Sequence, residues 1–226
     1  MSITHIIFDC DGVLVDSEPL SMRADVEVIA KYGIVMTPQD AGKRFVGTTF
    51  EAMLEELSKE RGVQFPPDIY AEKNRIINEF YHRELKIVRG VRDALDSVKG
   101  MGLTMSIASN GPKERVKLAL QLTGILHHFK DQIVTYEDVP KGKPAPDMFL
   151  LAAKIAKTRP QDCLVVEDSI TGVTAAVEAG CWTLGFTGTY EDQHVHAAKL
   201  KDIGAEATFA TMAELPSLVS TFIHES

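Results

Sequence analysis

Short apolar runs alternate with amphipathic segments over most of the chain. The first run, Ile3 to Phe8, ends abruptly on the polar segment that begins at Asp9. After residue 88 the alternation returns several times, which is typical of repeated βα units around a parallel sheet. The predicted strands of this region are Leu103 to Ala108, Gln132 to Thr135, Cys163 to Val166 and Trp182 to Phe186. The pattern predicts an α/β fold whose parallel sheet is flanked by helices.

Residues 17–86 show a different pattern. They contain long charged amphipathic segments, including Glu51 to Arg61 and Tyr70 to Leu85, and no convincing strand. The stretch Phe65 to Asp68 contains two prolines and predicts a turn between two of these helices. A helical insertion after the first strand explains the change of pattern, and such an insertion makes a lid. We therefore predict two domains, a core of residues 1–16 and 87–226 and a helical cap of residues 17–86.

Composition and charge narrow the class of protein. The chain has 226 residues, of which 45% are hydrophobic and 25% charged, as in an ordinary globular protein. Its formal net charge of −8 argues against a nucleic-acid partner, because phosphate backbones favour clustered Lys and Arg. A soluble enzyme fits this composition better.

The cysteines and the apolar segments indicate the compartment. Cys10, Cys163 and Cys181 are widely spaced in apolar surroundings, which predicts reduced core thiols and no disulfide framework. No segment has the pattern of a leader peptide or the length of a membrane span. We predict a cytoplasmic protein without a membrane partner.

The first strand ends on two carboxylates, where a doubly wound sheet usually places its ligand site. In an extended chain Asp9 and Asp11 point the same way, and Cys10 points to the opposite side. Two carboxylates at such a short separation need a cation or a shared proton between them. Oxygen ligands favour Mg²⁺ as that cation. Gly12 then allows a sharp turn. The run could also be an Asx turn or part of a calcium loop, but the apolar residues 13–15 disfavour the calcium loop.

Polar groups follow two further strands and one loop. Ser109-Asn110-Gly111-Pro112 offers a hydroxyl, an amide and a helix N-terminus for an anion, although such a run is more often a turn with a helix cap. Lys143 lies among prolines that restrict the backbone, so that its charge can serve a phosphate rather than be solvated. Glu167 and Asp168 follow the buried strand at Cys163. If this strand neighbours the first, the converging carboxylates require a bound cation.

In this order, these motifs resemble those of the haloacid dehalogenase-like superfamily of hydrolases, in its branch of phosphatases with a helical cap of the C1 type. The resemblance covers essentially the whole chain. It implies a Rossmann-like core and phosphoryl transfer from a small phosphorylated substrate through an aspartyl-phosphate intermediate. Asp9 would be the nucleophile, and Asp11 would act as general acid and base.

The same resemblance assigns a metal site and a phosphate site. Asp9, the backbone carbonyl of Asp11 and Asp168 would hold Mg²⁺, and Glu167 would be a further ligand or an outer support. The transferring phosphoryl oxygens would be neutralised by Ser109, Asn110 and Lys143.

Single residues separate branches of the superfamily. Asp11 favours phosphate chemistry over dehalogenation, and the segment Asp16 to Met22 lacks the histidine that follows this motif in β-phosphoglucomutases. The segments Lys43 to Thr49 and Ser109 to Pro112 look like those of the 6-phosphogluconate phosphatase branch. In the first of these segments the predicted substrate-binding residues are Arg44, Gly47 and Thr48. Arg44 could equally be a solvated or helix-capping cation.

The sequence therefore predicts a Mg²⁺-dependent phosphomonoesterase acting on a small sugar or sugar-acid phosphate, with a 6-phosphogluconate-like substrate as the first guess. Phosphoglycolate, hexose phosphates and nucleotides remain possible substrates. The alternatives are a β-phosphoglucomutase-like phosphosugar mutase and a non-enzymatic ligand-binding regulator. The oligomeric state is open, and a monomer is compatible with the sequence.

Overall fold

The computed structural model describes residues 3–45, 48–129 and 132–223. Its contacts divide the chain into two compact units, one of Met1–Asp16 with Lys86–Ser226 and one of Ser17–Leu85. Asp16 and Lys86, the residues of the first unit on either side of the second unit in the sequence, pair in a short antiparallel ladder.

A parallel sheet forms the centre of the first unit. The strands in chain order are β1 (His5–Phe8), β2 (Val15–Asp16), β3 (Lys86–Ile87), β4 (Thr104–Ser109), β5 (Ile133–Thr135), β6 (Cys163–Glu167), β7 (Trp182–Phe186) and β8 (Ala207–Phe209). The larger sheet has the order β5-β4-β1-β6-β7-β8, and each neighbouring pair is parallel. The chain adds β4 and β5 on one side of β1 and then β6, β7 and β8 on the other, so that the strand order reverses beside β1. In open α/β sheets this is the place where ligands bind.

The apolar runs become central strands because both faces of the sheet are covered. Ile6, Ile7 and Phe8 are fully buried, although consecutive side chains of a strand point to opposite faces. Ile7 belongs to a core cluster that includes Phe149 and Ala176 of two flanking helices. The helices of this unit are α5 (Val91–Gly100), α6 (Lys113–Leu122), α7 (Asp147–Ile155), α8 (Ile170–Glu178), α9 (Gln193–Ile203) and α10 (Leu215–Ile223). The predicted α/β fold class with a Rossmann-like core is confirmed.

The second unit is helical. It contains α1 (Glu18–Ala30), α2 (Pro38–Arg44), α3 (Phe50–Arg61) and α4 (Ile69–Glu84), of which α1 packs along α4. The hydroxyls of Thr37 and Thr49 accept hydrogen bonds from the first turns of α2 and α3. The predicted turn before α4 is confirmed at Pro67 and Asp68.

The predicted strands are correct in place and differ by a residue or two at their ends. Trp182–Phe186 agrees with its prediction, whereas β4 and β6 each extend one residue further, to Ser109 and Glu167. Two functional candidates therefore belong to strands rather than to the loops after them. The prediction missed the pair β2 and β3, because two residues carry no periodicity to read. It also missed β8, an edge strand in which one residue of three is buried, so that no apolar run marks it.

The three cysteines are buried and free, as predicted. In the described ranges, no helix combines the length and the apolar character needed to cross a membrane. The cytoplasmic location stays a prediction.

A buried histidine at the start of β1 makes the fold sensitive to acid. The ring nitrogens of His5 lie 2.7 Å from Thr104 Oγ1 and 2.8 Å from Ser106 Oγ. Burial lowers the pKa of His5 from 6.5 to about 4. Between these values the unfolded chain takes up a proton that the folded chain excludes. The stabilisation is thus complete above pH 6.5 and is lost as the pH falls towards 4.

Replacing His5 with glutamine should remove this dependence. On lowering the pH from 7.5 to 5, we expect the free energy of unfolding of the wild type to fall by about 2 kcal/mol more than that of His5→Gln. Urea unfolding of both chains at the two pH values measures the difference, since titrating carboxylates common to both chains cancel. Equal pH dependence in the two chains would show that His5 is not the acid-sensitive group.

Candidate active site

The predicted catalytic residues of the core converge at the carboxyl ends of three adjacent strands. Phe8 is in register with Ile107 of β4 and Val166 of β6, and the Asp9 amide donates to the Val166 carbonyl at 2.9 Å. The residues that follow these positions therefore meet beside β1. The side chains of Asp9, Ser109, Lys143, Glu167 and Asp168 are buried there, and Asp11 is partly exposed.

The ammonium group of Lys143 joins the strand ends. Its Nζ donates to Asp9 Oδ1 at 2.5 Å, to Glu167 Oε1 at 2.6 Å and to the Ala108 carbonyl at 2.8 Å. All three protons of the ammonium thus have partners, which a buried charge requires. Although burial alone would lower the pKa of Lys143, the two carboxylates raise it above its usual value. Lys143 is consequently a fixed positive charge and not a solvated loop lysine.

Glu167 supports this arrangement from its other oxygen. Its Oε2 accepts hydrogen bonds from the Ser169 amide at 2.7 Å and from the Ser169 hydroxyl at 3.0 Å. With Oε1 on Lys143, both carboxylate oxygens are engaged by the protein. Of the two roles predicted for Glu167, the geometry favours outer support over direct metal ligation.

Gly172 in the first turn of α8 leaves the space that Glu167 occupies. A methyl group on Gly172 would lie 1.7 Å from Glu167 Oε1. Gly172→Ala must therefore displace the carboxylate that holds Lys143, and we expect it to lower phosphatase activity by at least about 100-fold. Gly100, at the end of α5, has no atom near the corresponding position and is the matched control. Alanine favours a helix at both positions, so Gly100→Ala should keep full activity. Equal activity of the two variants would contradict the role given to Glu167.

Asn110 holds the backbone of Lys143 rather than presenting a free amide. Its Oδ1 accepts from the Lys143 amide at 3.0 Å, and its Nδ2 donates to the Lys143 carbonyl at 3.2 Å. A methyl group on Gly142 would lie 2.7 Å from the same Oδ1, so the loop approaches this closely only with glycine there. These two bonds give Asn110 a structural role, and the second proton of Nδ2 is still available for the predicted contact with a phosphoryl oxygen.

The N-terminus of α6 binds a side-chain carboxylate of the protein itself, that of Glu137. The Lys113 amide donates to Glu137 Oε2 at 3.0 Å, and the Lys113 ammonium pairs with Asp138 at 2.6 Å. Glu137 thus occupies the position that a phosphate would take at this helix end, whereas the N-cap residue Pro112 makes no side-chain cap bond. Ser109 Oγ accepts from the Gly111 amide at 3.0 Å, and its own proton remains to be donated.

Asp9 and Cys10 both lie just beyond β1, and both are buried. Cys10 is fully buried, and burial raises the pKa of its thiol, which disfavours a redox role. Burial also raises the pKa of Asp9 to about 8, an effect that Lys143 opposes and the carboxylates of Glu167 and Asp11 reinforce. The site as it stands is therefore short of positive charge.

The donor set fits a hard divalent cation. The Gly12 backbone lies against the Asp168 carboxylate, since a methyl group at Gly12 would be 2.2 Å from Asp168 Oδ2. Gly12 also has a positive φ of 79°, which favours glycine. Oxygen donors and excess negative charge suit Mg²⁺. The described residues include no group of three His, Cys, Asp or Glu side chains that could hold a metal. The ligand set predicted from the sequence, Asp9, the Asp11 carbonyl and Asp168 with Glu167 as a further ligand or an outer support, therefore stays a prediction.

Two of the three predicted substrate-binding residues of the helical unit, Arg44 and Thr48, have hydrogen-bond partners within that unit. Arg44, in the last turn of α2, pairs with Glu56 at 2.7 Å and with Glu60, which favours the structural interpretation of this cation. Thr48 is exposed, and its hydroxyl donates to the Phe45 carbonyl at 2.8 Å. Gly47 lies outside the described residues.

Sequence reasoning missed two residues that lie after β7 in the chain and contact the site. His196 bonds to the Asp168 carbonyl, and Thr189 bonds to the Gly12 carbonyl. Neither belongs to a motif, and each is distant in sequence from its partner, so no local pattern could have identified them.

Comparisons with known proteins identify the family of this chain. The family model for the haloacid dehalogenase-like hydrolases matches residues 6–186. The 6-phosphogluconate phosphatase of Escherichia coli is 28% identical over 217 residues, covering 96% of this chain and 94% of that protein. A phosphorylated carbohydrates phosphatase of Thermotoga maritima is 33% identical over 180 residues, with 77% and 81% coverage. A hydrolase structure from Deinococcus radiodurans with bound phosphate and sodium superposes with a TM-score of 0.80 at 27% identity and covers 99% of each chain. The chain therefore belongs to the haloacid dehalogenase-like hydrolase family.

Proposed function

We propose that this protein is a Mg²⁺-dependent phosphomonoesterase that acts on a small sugar or sugar-acid phosphate through an aspartyl-phosphate intermediate. The observation that carries the proposal is the buried ammonium of Lys143, which bridges Asp9 and Glu167 at the topological switch point. The family membership and the named activities of the relatives support the same class of reaction. A 6-phosphogluconate-like compound is the first candidate substrate.

Asp9 is the proposed nucleophile. Its carboxylate forms a bond to phosphorus as the bond to the leaving alkoxide breaks, so the phosphoryl group moves onto Asp9. A carboxylate approaches a phosphate dianion only when positive charge offsets the repulsion between them. Lys143 supplies a fixed part of that charge, and the hydroxyl of Ser109, the last residue of β4, is the proposed donor to a phosphoryl oxygen.

Asp11 is the proposed general acid and base. It protonates the leaving alkoxide and then takes a proton from the water that attacks the phosphorylated Asp9, which releases inorganic phosphate and restores both carboxyl groups. Its partial exposure, in contrast to the burial of Asp9, is compatible with this exchange of protons.

The metal would be held by the Asp9 and Asp168 carboxylates and the Asp11 carbonyl. When bound, Mg²⁺ neutralises charge on the transferring phosphoryl group and on Asp9. We further propose, from the family resemblance, that the helical unit is a cap whose residues select the leaving group.

Release of inorganic phosphate from a substrate panel tests the proposal. The panel contains 6-phosphogluconate, phosphoglycolate, several hexose phosphates and a nucleotide, each with Mg²⁺ or with a chelator. We expect release with Mg²⁺ only, fastest for a sugar or sugar-acid phosphate. Rearrangement of a phosphosugar without phosphate release would indicate a mutase. Metal binding without any turnover would leave a ligand-binding protein.

A further inference from the structure

The segment between β7 and α9, residues 187–192, together with the first turn of α9, contacts the backbone beside two proposed metal ligands. Thr189 Oγ1 donates to the Gly12 carbonyl at 3.2 Å. His196 Nε2 lies 2.5 Å from the Asp168 carbonyl. Gly12 adjoins Asp11, whose carbonyl is a proposed ligand, and Asp168 is itself a proposed ligand. Two residues of one segment thus reach the backbone beside two ligands that come from different strands.

The His196 ring is held in one orientation. It is buried and stacks on the Tyr190 ring, with centroids 3.5 Å apart and planes 13° from parallel. A carbonyl oxygen only accepts hydrogen bonds, so Nε2 must carry a proton and donate. The Asp192 carboxylate accepts from the Val195 amide at 3.0 Å and fixes the start of α9 one turn from His196. The donor is therefore placed by packing and by a helix cap.

We infer that His196 and Thr189 are positioning residues for the metal site, with His196 acting through Asp168 and Thr189 acting through the Gly12 backbone. This inference rests on the proposed function, because it concerns the metal of the same site. Mg²⁺ demands a nearly octahedral ligand arrangement, so a carboxylate whose backbone can drift binds it less well. Removing a residue that hydrogen-bonds to a metal ligand typically weakens metal affinity 10- to 100-fold.

Two replacements of His196 separate the donor from the ring. His196→Phe keeps an aromatic ring for Tyr190 and removes the donor, whereas His196→Gln loses the ring and keeps an N–H at a similar reach. Calorimetric titration with Mg²⁺ alone, without substrate, should show affinity about 10-fold weaker in His196→Phe and largely recovered in His196→Gln. Thermal unfolding of the metal-free variants confirms that the comparison is between folded proteins.

Thr189 provides an independent variant. Thr189→Val has the same shape but lacks the hydroxyl, and we expect its Mg²⁺ affinity to fall about 3-fold. Thr221→Val is the matched control, because it removes an exposed hydroxyl that donates to the Leu218 carbonyl in α10. Its Mg²⁺ affinity should equal that of the wild type.

The outcomes separate this inference from the proposed function. Equal Mg²⁺ affinity in the wild type, His196→Phe and Thr189→Val would overturn the inference alone. A His196→Gln variant as weak as His196→Phe would overturn the role assigned to Nε2. The expected affinity changes in a chain that releases no phosphate would support the inference and overturn the phosphatase proposal. A wild type that binds no Mg²⁺ would overturn both the inference and the metal requirement.

Discussion

Replacing Lys143 with methionine is expected to abolish most of the activity and to destabilise the fold. The ammonium is the shared partner of Asp9 and Glu167, both of them buried. Removing it leaves two carboxylates facing each other without a cation. Breaking a buried pair in this way costs about 3 kcal/mol or more. Loss of the charge beside the transferring phosphoryl group should lower kcat/KM by at least about 10³-fold.

Denaturant unfolding and phosphate release measure the two effects of Lys143→Met. Lys141→Met is the matched control, because Lys141 is an exposed lysine of the same loop, and its variant should match the wild type in both assays. If Lys143→Met retained wild-type stability, the ion pairs seen around Nζ would not hold the strand ends together. If it retained activity, Lys143 would have no part in phosphoryl transfer.

Replacing Asp9 with asparagine should separate activity from stability. The amide keeps an oxygen for the Lys143 ammonium and removes a carboxylate whose pKa burial raises. We therefore expect the free energy of unfolding of the metal-free chain to change by no more than about 1 kcal/mol. An amide cannot accept the phosphoryl group as a carboxylate does, so kcat should fall by at least about 10⁴-fold.

The control for Asp9→Asn is Asp202→Asn, an exposed position in α9. Denaturant unfolding without metal and phosphate release with Mg²⁺ are measured for both variants. Turnover by Asp9→Asn within a factor of ten of the wild type would exclude Asp9 as nucleophile. A large loss of stability would instead show that the carboxylate contributes to the fold.

The central part of the fold could be predicted because it is local in sequence. A run such as Ile6 to Phe8, buried on both faces, appears as a continuous apolar stretch. Strand alternation also separates Asp9 from Cys10 without any tertiary information. The short strands β2, β3 and β8 escaped prediction, because no apolar run marks them: β2 and β3 have two residues each, and β8 has one buried residue of three.

The roles of single polar residues depend on partners that the sequence does not place nearby. Asn110 offers an amide to any neighbour, and only the fold brings the backbone of Lys143 to both of its polar atoms. Glu167 likewise stands at the end of a strand, as a metal ligand would, but Ser169 and Lys143 contact its oxygens. His196 has no motif at all. The residue types of the site are readable, whereas the division into contacting and supporting residues is decided by tertiary contacts.

The most direct test of phosphoryl transfer to Asp9 is fluorine NMR of the protein with beryllium fluoride, which binds a carboxylate oxygen as a mimic of a phosphoryl group. It requires no knowledge of the substrate. We predict a protein-bound fluoride resonance in the wild type with Mg²⁺ that disappears with a chelator and is absent from Asp9→Asn. The same resonance in Asp9→Asn, or its absence from a wild type that releases phosphate under these conditions, would contradict Asp9 as the phosphoryl acceptor.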